Sequence, residues 1–134
     1  MEELFSWNLN DLDIKEMISI NKDILNLDNE EIRNIVSILK NINCSDSEIR
    51  NILVTNPNYL SRCYSDVIEL INKFKSLNID DLNELFNSNP HLLNKDVFEI
   101  EDYINSEISN GKKLDDIIDE LVSNPFIIDE VGVL

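Results

Sequence analysis

Carboxylates are the chemistry-bearing groups this chain offers most freely: 27 Asp and Glu stand against 11 Lys and Arg, for a formal charge of −16. They fall in clusters, at Asp28/Glu30/Glu31, Asp46/Glu48, Asp80/Asp81/Glu84, Asp96/Glu99 and Asp115/Asp116/Asp119/Glu120. Acid–base hydrolysis needs one carboxylate in an apolar, buried setting that raises its pKa, and no such setting is visible around these clusters. A calcium loop needs spaced ligands around a central glycine, and Asp11, Asp13 and Glu16 have neither. Recognition is the remaining use, because a row of carboxylates attracts a basic surface and speeds its approach at low salt.

The nucleophiles are few. Cys44 and Cys63 lie nineteen positions apart with no C-x-x-C pair, so neither a disulfide framework nor a zinc site is indicated and both are read as free, half-buried side chains. His91 is the only histidine, and a dyad with either cysteine would require a fortuitous approach across the fold. The chain is therefore expected to carry no catalytic residue, no cofactor and no metal.

Two readings of the acidic clusters stay open. Each cluster lies where a helix begins, and carboxylates there satisfy orphan amides and complement the helix dipole. Capping of this kind accounts for most of them. Asp80, Asp81 and Glu84 nevertheless occupy places equivalent to Asp115, Asp116 and Asp119 in successive repeats, so together with Glu120 they could form one acidic ridge. Such a ridge would bind a basic protein surface or imitate a nucleic-acid phosphate backbone. Phe5 and Trp7, ahead of the first helix, either cover the open end of the array or stand out as an aromatic anchor for a partner.

The elements that must position these groups come from a repeat. Asn-Pro followed by an apolar pair recurs at Asn56-Pro57-Asn58-Tyr59-Leu60, Asn89-Pro90-His91-Leu92-Leu93 and Asn124-Pro125-Phe126-Ile127-Ile128, with spacings of 33 and 35. A step of 35 back from Asn56 lands on Asn21-Lys22-Asp23-Ile24-Leu25, a copy that has lost its proline. The same shift places Asp11 on Asp46, Ile14 on Ile49, Met17 on Ile52 and Ile18 on Leu53. Such self-similarity is the signature of a repeat architecture.

Each unit reads as a tag, a first helix, a break and a second helix. Asp28 with Glu31 and Ser45 with Glu48 form capping boxes ahead of the stripes Ile32/Ile35/Val36/Leu39 and Ile49/Ile52/Leu53. In the next unit Ser65 or Asp66 is expected to open a helix through Val67, Leu70, Ile71 and Phe74, and Asn78 one through Leu82, Leu85 and Phe86. In the third, Asp96 and Glu99 open a helix through Ile100, Tyr103 and Ile104, and Asn110-Gly111 supplies a left-handed stop. Leu114, Ile117, Ile118 and Leu121 then form a further helix. Each Asn-Pro tag is expected to make a single-turn helix, since proline suits a first turn and the residue before it resists helix. The tail Val131-Gly132-Val133-Leu134 would cap the core or offer an apolar edge to another subunit.

The expected fold is all-α, a short α-solenoid forming one domain over 1–134. It divides into an N-terminal cap and partial repeat (1–20), repeats at 21–55, 56–88 and 89–123, and a partial C-terminal repeat (124–134). A body of this length buries roughly two-thirds of its unfolded surface. With 43 % hydrophobic and 28 % charged residues it is too apolar for a disordered chain and too interrupted by charge for a bilayer span, and the acidic amino terminus is unlike a secretory leader. No membrane association and a cytoplasmic location are expected. Asn and Ile each occur twenty times while Ala and Gln are absent, a skew that an AT-rich coding sequence produces, so no function is read into asparagine.

Asn-Pro-x-Leu-Leu ending each unit, then two amphipathic helices before the next such tag, resembles the repeat of the mitochondrial transcription termination factor (mTERF) family, over roughly Asp11 to Ile128. Tetratricopeptide-type repeats fit less well, because they need small residues at helix crossings and this chain has no alanine and only Gly111 and Gly132. The resemblance implies a right-angled stack of helical triplets. It also implies nucleic-acid binding through basic residues in a groove. Here the chain departs from the family: Lys15, Lys40, Lys73, Lys75, Lys112 and Lys113 form no continuous stripe, and the charge of −16 opposes a phosphate backbone. The chain is also shorter than typical members. The expected role is a non-enzymatic regulatory module whose acidic surface binds a basic protein, with a nucleic-acid mimic as the alternative and direct nucleic-acid binding as a second.

Overall fold

Asparagine, proline and the capping boxes divide this chain into helices of repeating length. The computed structural model describes residues 2–124 and 126–127, with the side chains of Glu2 and Phe5 outside that description. Seven α-helices occur among the described residues: α1 (Asp11–Ile20), α2 (Asn29–Asn41), α3 (Asp46–Thr55), α4 (Tyr64–Ser76), α5 (Leu82–Ser88), α6 (Val97–Ser109) and α7 (Leu114–Ser123). Helices α2, α4 and α6 each have 13 residues, and α1, α3 and α7 each have 10. No strand occurs among the described residues. Between the pairs lie 3-10 turns at Lys22–Asn26, Pro57–Ser61 and Pro90–Asn94, five residues each, as the tags require. In the third tag Pro125 and Ile128 lie outside the described residues, as does the tail from Val131 to Leu134.

Like packs on like. α1 contacts α3 and α3 contacts α5; α2 contacts α4 and α4 contacts α6; the tag turns contact one another in the same order. The seams are filled by Ile32, Ile35, Val36 and Leu39, by Val67, Leu70, Ile71 and Phe74, and by Ile100, Tyr103 and Ile104, all buried, so each first helix hides its stripe against its neighbours. Phe74 meets Phe86 edge to face at 5.5 Å between ring centroids.

The tag asparagine has a larger role than capping. Asn21, Asn56 and Asn89 are buried, and each ends the helix before it by donating its amide N–H to a carbonyl one turn back, at Met17, Ile52 and Leu85. The side chains of Asn21 and Asn56 then reach into the next unit. Asn21 Nδ2 donates to Pro57 O at 3.0 Å and to Ser61 Oγ at 2.7 Å. Asn56 Nδ2 donates to Pro90 O and to Asn94 Oδ1, both at 3.0 Å, and Asn94 returns a bond to Asn56 Oδ1. A polar ladder thus runs through an apolar core from tag to tag, every rung satisfied, as a buried amide demands. Arg62 adds a second tie, donating to the carbonyls of Leu93 and Lys95 at 3.1 and 2.9 Å. The abundance of asparagine, set aside on composition, therefore has structural work at these positions.

A second asparagine series corrects one expected helix start. Asn8, Asn43 and Asn78 have φ of 60°, 70° and 61°, and Gly111 has 94°; these are the left-handed stops that follow Trp7, α2, α4 and α6. Asn78 therefore ends a helix and does not open one; Asp81 stands at the cap of α5 instead. The residue type suits both roles, and only its place in the series decides. Likewise α4 starts at Tyr64 with Cys63 at its cap, ahead of Ser65 and Asp66. The Ser45/Glu48 box is present with both bonds, and Asp28 accepts the Glu31 amide at 2.7 Å.

These stops also locate the irregularity in the repeat. From Asn21 to Asn43, Asn56 to Asn78 and Asn89 to Gly111 the distance is 22 residues each time. From stop to next tag it is 13 residues at Asn8–Asn21, Asn43–Asn56 and Gly111–Asn124, but 11 at Asn78–Asn89. The short unit is thus short in its second helix, and α5 has only 7 residues.

Candidate functional site

A cleft of about 390 Å³ lies between the short α5 and α7. Its walls carry Asp80, Asp81 and Glu84 from the first side and Asp119 from the second, above an apolar floor of Ile79, Leu85, Ile118 and Val122. Among the described residues no lysine or arginine lines it. Asp81 gets there because α5 begins four residues after its left-handed stop, at Leu82, where α1, α3 and α7 begin three residues after theirs. Asp81 makes no side-chain capping bond, which leaves its carboxylate for other use.

Four of the seven acidic residues singled out in the sequence thus converge. The other three do not line the cleft. Asp115 and Asp116 lie exposed in the first turn of α7, where they complement the dipole of that helix. Glu120 turns toward α6: Lys112 Nζ bridges it at 2.8 Å and Glu107 at 3.0 Å, closing the α6–α7 turn. Hydrogen bonds to Glu120 and Glu107 hold the Lys112 ammonium above the ordinary lysine range.

Trp7 is buried at 7 % exposure, with Lys40 Nζ 4.5 Å above its ring centroid, a cation–π contact that fixes it against α2. It covers the first end of the core, and its burial excludes an exposed anchor in this conformation. The Phe5 side chain lies outside the described residues. Cys44 is buried and Cys63 exposed, both free, so the expectation of two half-buried thiols is replaced by one of each kind. Burial, helped by the charge of Glu48, pushes the Cys44 thiol up to about 12. Two carboxylates are buried, which the sequence did not reveal: Asp13 pairs with Arg50 at 3.0 Å and accepts the Asn10 amide, and Glu107 pairs with Lys112.

The apolar floor was missed. The signal for it lay in α7, where Leu114, Ile118 and Val122 add a second stripe beside the buried Ile117 and Leu121. Among the described residues no group of three His, Cys, Asp or Glu is placed to hold a metal ion, and no helix is long and apolar enough to cross a membrane. Neither a scan against protein-family models nor a search of curated proteins finds a match to this chain.

Proposed function

We propose that the chain is a non-enzymatic interaction module that binds a basic protein partner through the acidic cleft between α5 and α7. In this reading the units stack as a short α-solenoid with right-angled packing, as in the mTERF-like repeat it resembles, and the module works in the cytoplasm. The observation that carries it is the convergence of Asp80, Asp81, Glu84 and Asp119, from two units, on one cleft without a cation among the described residues of its lining. Asp80, Asp81 and Glu84 stand around the start of α5, where capping alone would put them; Asp119 comes from the middle of α7, and capping gives no reason for it to join them. Four together in a field of −16 favour a cationic occupant and oppose a nucleic acid.

The test is affinity capture from the native cell at about 50 mM and about 500 mM salt, which changes the screening length severalfold. The wild-type chain is compared with a variant carrying Asp80→Asn, Asp81→Asn, Glu84→Gln and Asp119→Asn. A basic protein retained by the wild type at low salt and lost from the variant is the expected result. If that protein is one that handles DNA or RNA and its nucleic acid competes for it, the module is a nucleic-acid mimic. Retention indifferent to the four substitutions, or capture of nucleic acid itself, would refute the proposal.

A further inference from the structure

The face that α7 turns toward the cleft differs in kind from the same face of its counterparts. Counted from the left-handed stop of each unit, Leu114, Ile118 and Val122 stand where α1 has Asp11, Lys15 and Ser19, and where α3 has Asp46, Arg50 and Val54. In α3 that face closes the seam with the preceding unit, since Arg50 reaches back to Asp13 of α1 at 3.0 Å. In α7 the position of Arg50 is taken by Ile118, and the shortened α5 leaves it lining open space. Leu114 is 43 % and Val122 48 % exposed. Ile118 between them is half-buried against the core and, with Val122, keeps one side open to the cleft among the described residues, while Ile117 and Leu121 of the same helix are fully in the core.

An apolar stripe beside four carboxylates is complementary to an element that is apolar along one side and cationic along its margins. A helix with apolar residues at three- and four-residue spacing presents that pattern, and a groove between helices is its usual seat. A purely cationic chain would satisfy the carboxylates and leave Ile118 and Val122 wet. We propose that the cleft between α5 and α7 docks one amphipathic basic helix of a protein partner, with apolar side chains on Ile118 and Val122 and lysines or arginines toward Asp80, Asp81, Glu84 and Asp119. This rests on the basic-partner reading above and adds which part of the partner binds.

Two labelled synthetic peptides of equal length and equal positive charge separate the two claims, read by fluorescence anisotropy against the full chain at physiological salt. One has leucines and lysines at helical spacing; in the other serine replaces every leucine. The leucine–lysine helix binds about tenfold tighter, the scale expected when two aliphatic side chains are covered. Ile118→Asn with Val122→Ser brings the two peptides within about twofold of each other, whereas Leu25→Ser, an exposed leucine outside the cleft lining, leaves the ratio unchanged. Val122→Ser alone, which replaces a half-exposed residue, serves if the double variant melts early, and narrows the ratio by about threefold. Equal affinity of the two peptides for the wild type, or a ratio that survives loss of the stripe, overturns the inference while the basic-partner reading stands. Failure of both peptides to bind removes both.

Discussion

The buried amide of Asn56 is occupied at both ends, donating to Pro90 and Asn94 and accepting from Asn94, and it ties two units through the core. Alanine there leaves the buried Pro90 carbonyl without its donor and takes both bonds from the half-buried Asn94 amide. Asn56→Ala is therefore expected to cost about 2–3 kcal/mol in chemical denaturation, while Asn58→Ala, exposed in the same tag, stays within about 0.5 kcal/mol. Equal costs would show that the ladder is incidental. The two cysteines make a second contrast. Hydrogen bonding to Ser65, then to the amides of Asp66 and Ser65, lowers the thiol of exposed Cys63, whereas Cys44 is pushed up to about 12. Near pH 8 one thiol should react in the native chain and two after unfolding. The sign of the pH effect follows: the unfolded chain ionises Cys44 from about its ordinary value of 9.0, while the folded chain keeps the proton to about 12. Stability contributed by neutral Cys44 is present below pH 9 and is lost as pH rises through that window. Tyr59, also raised chiefly by burial and donating to Ile35 O, acts in the same direction. Cys44→Ala should flatten the alkaline arm of a stability–pH curve, and an unchanged slope would count against this assignment.

Among the elements, α5 and the turn before α7 carry the informative irregularities. Two residues inserted between Asp81 and Leu82, for example Ala-Ala, restore the 13-residue distance from stop to tag and bring Leu82, Leu85 and Phe86 into the register that Ile49, Ile52 and Leu53 hold after Ser45. The inserted chain should gain hydrogen-exchange protection at the start of α5, keep its thermal midpoint, and lose affinity for a basic peptide as the cleft fills. Continued binding would mean that the cleft is not the site. At Gly111 nothing lies within 4 Å of a built Cβ, so an alanine there meets only the left-handed backbone, at about 1–2 kcal/mol. Asparagine fills the same slot in the three earlier units, so Gly111→Asn should cost clearly less than Gly111→Ala. These elements also show what could be read in advance. The tags, the three 13-residue helices and the boxes at Ser45 and Asp96 were legible because proline and capping pairs act within one turn of chain. Asn78 was not, since asparagine serves equally as a helix opener and as a left-handed stop, and the choice depends on the series it belongs to. The cleft was half legible: its carboxylates stood out by type, but the spacing of 33 gave no hint of which helix was shortened, and the floor became visible only once α5 failed to cover α7.

For the whole molecule the open question is which electrostatic effect governs stability, because salt weakens attraction and repulsion together. The described ion pairs are partly exposed and several join successive units: Arg50 with Asp13, Arg62 with Asp96, Lys73 with Glu101, Arg33 with Glu3. Pairs of this kind contribute up to about 1 kcal/mol each, so the four together hold about 2–3 kcal/mol. Against them stand sixteen unmatched negative charges. These make on the order of a hundred like-charge pairs, each about 0.2 kcal/mol at roughly 20 Å in water before screening. Unfolding relieves only part of that repulsion, yet a quarter of it already exceeds what the pairs supply. Repulsion should win at low salt, where the screening length is about 30 Å, and fade at physiological salt, where it is about 8 Å. The thermal midpoint is therefore expected to rise between about 0.01 M and about 0.15 M sodium chloride, while the association rate of any cationic peptide falls over the same range. A midpoint that drops with salt would mean that the inter-unit pairs, and not the net charge, set the balance. In that case the Arg50–Asp13 seam should be worth far more in a double-mutant cycle than the 1 kcal/mol allowed here.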